Sequence, residues 1–135
     1  MSRGLRNNNP GNIRISATKY QGEIQPSQDR AFKQFQTMAH GYRAMFMLLY
    51  TYRKKHGCDT IRKMITRYAP PVENHTNVYI DSVARWSGIN PDVQLDTTSR
   101  EVMVPVISAM SRMENGKHAA ANDVEAGWGL FIASI

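Results

Sequence analysis

Cysteine is nearly missing from this 135-residue chain: Cys58 stands alone, which excludes an internal disulfide and any cage of cysteines around zinc. The four histidines, His40, His56, His75 and His118, are scattered without the i,i+4 pairing of a helical metal site. No metal is therefore expected. No stretch approaches the ~20 apolar residues of a membrane span, and residues 1–10 are polar and basic, so neither a span nor a signal peptide is expected. Acidic residues are outnumbered, 11 against 17 Lys and Arg, for a net charge of +6. That balance suits a polyanionic partner such as nucleic acid, an anionic membrane surface or a bacterial wall. With 41% apolar residues the chain is not disordered, and its length fits a single domain over 1–135.

Regular periodicity is also lacking at the start. Asn7-Asn8-Asn9-Pro10-Gly11-Asn12 is turn chemistry, since Asn and Gly tolerate positive φ and Pro presets its own. Short β-capable pieces at 12–16 and 31–36 flank a polar segment, 20–30, and predict a small hairpin region. From His40 the pattern turns helical. Tyr42, Met45, Phe46 and Leu49 follow helical spacing while Ala44, Met47 and Leu48 are apolar too, which predicts a central buried helix ended by Gly57. Asp59 is expected to cap a short helix stopped by Pro70-Pro71, and Thr76 the next, which ends before Gly88. Thr98-Ser99-Arg100-Glu101 matches a capping box for a helix over 98–114 containing Pro105, and a last helix should run from Asp123. The fold class expected is mostly α (α+β), with a small N-terminal β region.

Glu114 is the most informative residue. The stripe of the 98–114 helix is Met103, Val106, Ile107, Met110 and Met113, and Glu114 points within about 20° of its middle. A carboxyl aimed at the core loses hydration, and the negative end of the helix dipole adds to the rise in its pKa. A Glu so placed keeps its proton near neutral pH, as the general acid of glycoside cleavage must. The plain alternative is a helix end whose carboxylate simply extends into water.

Two stretches carry a family resemblance. Glu114-Asn115-Gly116 followed by Ala126-Gly127-Trp128-Gly129-Leu130-Phe131 resembles the soluble lytic transglycosylases, in which a helix-ending catalytic Glu precedes Ser-Gly and a Gly-Leu-Met-Gln segment follows. Asn115 replaces the Ser, and Phe131-Ile132 the Met-Gln. Arg6 to Arg14, Tyr20-Gln21-Gly22, Asp29, Phe32, Phe35, Gly41-Tyr42-Arg43-Ala44, Tyr68-Ala69-Pro70-Pro71 and Glu73-Asn74 are similar to small lysozyme-like phage and prophage proteins described as endolysins or virion structural proteins. A looser likeness links the Asn-rich turn to the hairpin of cell-wall glucosaminidases. There the hairpin follows the Glu helix, so this chain would be circularly permuted, with the helix ending at Glu114 packed beside the N-terminal turn.

The resemblance implies a lysozyme-like domain acting on peptidoglycan glycan strands, with Glu114 as general acid and no organic cofactor. A second group would stabilise the oxocarbenium-like state or activate water, and Glu23 and Asp29 are the acidic candidates, unless the substrate's own N-acetyl group serves. Asn7, Asn8 and Asn9 offer amides to a sugar, or else merely form the turn. Tyr20 and Tyr42 can stack on sugar rings, Arg43 and Arg14 can face muropeptide carboxylates, and His118 can line the cleft. Lacking a signal peptide, such a protein would be made in the bacterial cytoplasm and reach the wall after release or as part of a virion. The rival from another class is a non-enzymatic virion or assembly component that keeps the fold. Arg53-Lys54-Lys55, Arg62, Lys63 and Arg67 raise a nucleic-acid reading, but no nucleic-acid-binding motif backs a specific partner of that kind.

Overall fold

The computed structural model describes residues 1–72 and 74–135. Glu73, which belongs to the phage-like motif, lies outside the described residues.

The chain opens with a helix too short for periodicity to reveal. Ser2 caps α1 (Arg3–Arg6) by accepting from Leu5 N–H, and the Asn-rich turn follows with Asn8 at φ 51° and Asn12 at φ 49°. Strands β1 (Glu23–Ile24) and β2 (Gln34–Phe35) pair antiparallel, with Glu23 opposite Phe35. The expected 31–36 piece thus contains β2. Its ladder partner comes from the polar 20–30 segment, while 12–16 contributes only a bridge, Arg14 to Phe32. The reason is a buried ion pair: Lys33 sits 3.0 Å from Glu23 and draws that segment against β2.

Helix α2 (Met38–His56) is the central element, and Gly57, at φ 66°, ends it. Six successive residues, Gly41 to Phe46, are buried, so the helix is surrounded as its apolar girth predicts. Helix α3 (Ile61–Tyr68) is capped by Thr60, whose hydroxyl accepts from Lys63 N–H; Asp59 instead pairs with the Lys63 ammonium. Thr76 is likewise not a cap. It is the first residue of α4 (Thr76–Ser87), and its hydroxyl donates to Ala69 O, bracing the Pro70-Pro71 turn. Helix α5 (Arg100–Asn115) forms without the expected capping box, because Thr98 turns its hydroxyl to Asp96 and Ser99 makes no side-chain cap bond. Pro105 stands inside α5, and Gly116, at φ 72°, closes it.

Helix α6 (Ala121–Ile132) lies along α2. Gly127 permits the approach, since a Cβ there would stand 2.5 Å from Tyr42 Cβ and 2.9 Å from Ala39 O. Phe46 then meets Trp128 edge-on at 5.1 Å and stacks on Phe131 at 5.9 Å. One apolar core runs from Ile13 and Phe35 through α2 to Phe131. Among the described residues, no helix is long and apolar enough to cross a membrane.

Candidate active site

The C-terminal end of α5 packs against the N-terminal turn, the juxtaposition expected from the resemblance. Asn115 makes the join. Its amide donates to Pro10 O and Ser111 O, both at 2.8 Å, and its oxygen accepts from Ser2 Oγ at 2.7 Å. A Ser at this position is too short to span those groups.

Glu114 is thereby held on the wall of a cleft of about 410 Å³ between the N-terminal region and the helices. Gly11 to Arg14, Tyr20 and Phe32 form one side, and Leu48, Tyr52, Tyr68 and Asn74 the other. The carboxyl is half-buried and fixed at both oxygens: Asn12 Nδ2 donates to Oε1 and the Tyr79 hydroxyl to Oε2, each at 2.9 Å. Burial pushes its pKa up; the Asn12 and Tyr79 hydrogen bonds and the charge of Arg14 pull against that without cancelling it. Burial first, and Glu114 second, hold the Tyr68 and Tyr79 phenols well above their ordinary range, so both remain protonated donors. Tyr68 donates to Gly11 O, and a Cβ at Gly11 would collide with that hydroxyl and with Met45. The floor under Glu114 is therefore closely packed.

The other sequence-derived candidates are distributed unevenly. Tyr20 lines the cleft, beside the Lys33 ammonium at 5.6 Å from its ring centroid. Asn7, Asn8 and Asn9 are engaged internally. Asn7 donates to Asp29, and Asn8 to Phe35 O and Gln36 O. Asn9, fully buried, donates to Ile13 O and Lys33 O and accepts from Ile13 N–H. Glu23 is enclosed with Lys33, and Asp29 is forked by Arg3 at 2.6 and 2.7 Å; neither lines the cleft. Burial raises the pKa of Glu23, but hydrogen bonds from Tyr20 N–H, Lys33 and Gln25 outweigh it and hold the group below its ordinary value. The Arg3 hydrogen bonds, with those from Ala31 N–H, Asn7 and Phe32 N–H, hold Asp29 far below the carboxylate range.

Tyr42 is core, its hydroxyl 2.8 Å from Ser111 Oγ. His118 is exposed and faces a separate recess with Asn8, Ser111 and Asn115. Arg43 is buried in a recess adjoining the cleft. Of the basic run, Arg62 is paired with Asp92 and Lys63 with Asp59. Asn12 and Tyr79, the direct partners of Glu114, were not among the sequence-derived site residues. The one available signal was that Asn12 closes an Asn-rich turn expected to lie beside the Glu helix.

No family model matches the chain. It is, however, 40% identical over 136 residues to Protein P5 of Pseudoalteromonas phage PM2, a match covering 96% of this chain and 83% of that protein. Since the match spans the N-terminal turn and the helices alike, the chain belongs to the family of that bacteriophage protein.

Proposed function

We propose that this phage protein is lysozyme-like and cleaves the glycan strand of peptidoglycan. The bond is the β-1,4 link between N-acetylmuramic acid and N-acetylglucosamine, and Glu114 is the general acid. The observation that carries the reading is the Glu114 carboxyl on a cleft wall, biased by burial toward its protonated form and oriented by Asn12 and Tyr79. The two donors fix the orientation of the carboxyl on the cleft wall, where its proton can be given to a bound sugar. In the reaction Glu114 gives that proton to the glycosidic oxygen as the bond to the anomeric carbon breaks. The resulting carboxylate, stabilised by the same two donors, then accepts a proton from the attacking group. Attack by water yields a reducing end, and attack by a sugar hydroxyl of the same residue yields an anhydro end. The net positive charge draws the protein to an anionic wall, reached after release or from the virion.

Turbidity loss of purified cell walls tests this, with the mass of the released ends identifying the attacking group. Glu114→Gln is expected to lower the clearing rate about 10²–10⁴-fold. Wild-type clearing should decline as pH rises through the pKa of Glu114, where the acid loses its proton. Because folding raises that pKa, the stability Glu114 contributes is present at low pH and lost as pH rises through the folded value, so Glu114→Gln should melt higher at neutral pH. Absence of clearing by the wild type across salt and pH overturns the proposal in favour of a non-enzymatic virion or assembly component.

A further inference from the structure

Beyond the Glu114 cleft, and sharing Thr18, Tyr20, Leu48 and Tyr52 with it, lies a second recess of about 480 Å³. Its charged lining has one sign: Lys19, Arg43, Lys55 and Arg67, with no Asp or Glu among the described lining residues. Lys19, Lys55 and Arg67 are exposed at its rim, and Arg67 lies over the Tyr52 ring at 5.3 Å. Arg43 is different. It is only 8% exposed, its Nε has no hydrogen-bond partner, and among the described residues no carboxylate pairs with it. Its neighbour Tyr20 supplies no negative charge, because burial pushes that phenol up to about 12. A largely buried guanidinium without a counter-ion is less favourable than a paired one, because its desolvation is not offset by an opposite charge. Elsewhere the protein supplies such partners: Lys33 has Glu23, and Arg3 has Asp29. Among the described residues, the recess supplies no anion to Arg43.

We propose that this recess is a subsite for a carboxylate carried by the substrate, bound through Arg43 with Lys19 and Lys55 at the rim. Resting on the glycan-strand reading, it assigns the substrate class as strands whose peptide stems carry free carboxylates. Continuity with the cleft puts sugar and stem on one ligand, with the glycosidic bond at Glu114 and the anion at Arg43.

The full chain bearing Glu114→Gln, which traps substrate, provides the test by calorimetry. Its ligands are a peptide-bearing tetrasaccharide, the same molecule with its carboxylates amidated, the free stem peptide and inorganic phosphate. The free-acid strand should bind about tenfold tighter than the amidated one at low salt, and the gap should close as salt screens the rim charges. Adding Arg43→Gln should bring the two strands together, while Arg43→Lys restores part of the difference. Lys19→Gln with Lys55→Gln, both at exposed positions, should narrow the gap about threefold even if the buried substitution prevents folding. Equal binding of both strands overturns the subsite and leaves the glycan reading standing. Arg43-dependent binding of free peptide with no binding of either strand supports the subsite and overturns the glycan reading. Displacement of the strand by phosphate at matching strength overturns the carboxylate assignment, and no binding of any ligand overturns both.

Discussion

Residues 1–36 and the helices that follow are held together by opposite means. In the helical body most of the fully enclosed side chains are apolar, among them Phe46, Leu49, Ile80, Ile107, Met110 and Phe131, and the enclosed Ser111 hydroxyl pairs with that of Tyr42. In the N-terminal region two of the most deeply buried side chains are Asn9 and Lys33, each with several hydrogen bonds. The contrast follows from backbone chemistry. Helices satisfy their own N–H and C=O groups, so their side chains are free to be greasy. A chain with only two-residue strands leaves many backbone groups unpaired, and side chains must pair them. Apolar packing tolerates substitutes of similar volume, whereas a polar network tolerates few.

The contrast can be broken most forcefully on the apolar side. Phe46→Ala should lower stability by about 3–5 kcal/mol in denaturant titrations, and Phe46→Leu should recover much of that loss. Next, Asn9→Ala leaves Ile13 N–H without its acceptor and should cost about 2 kcal/mol, and here the equally bulky Asn9→Leu should recover nothing. Acid should separate the two regions further. Asp29 and Glu23 have pKa values lowered by folding, so their contribution is present above the ordinary carboxylate range and is lost as pH falls through the folded values. Hydrogen-exchange protection at Lys33 and Phe35 amides should therefore fall in acid before that of α2. The smallest effect is local: Thr60→Ala removes the α3 cap and should cost about 1 kcal/mol, read as a shift in melting temperature.

The same contrast explains what the sequence disclosed. The α2 helix, its Gly57 stop and the inward aim of Glu114 follow from a 3.6-residue period and are local. Helix caps depend on a single hydroxyl's choice of partner, which is why Asp59 and Thr76 read as caps yet serve elsewhere. The strand at Glu23 was hidden because its cause is a charge pair ten residues apart, Glu23 with Lys33. The second-acid candidates Glu23 and Asp29 look like free loop acids until Lys33 and Arg3, distant in sequence, claim them. Asn12 and Tyr79 reach Glu114 across 102 and 35 residues, separations on which periodicity is silent.

The Asn115 amide that clasps Pro10, 105 residues earlier, carries a consequence for biosynthesis. On a translating ribosome the opening segment emerges long before its clasp has been made, and the cleft lacks Glu114 until α5 arrives. Such long-range closure makes competence a late event in folding. The Glu114 site is thus completed only after most of the chain has been made, and an N-terminal fusion that crowds Ser2 should leave the molecule folded in its helices but unassembled at Glu114.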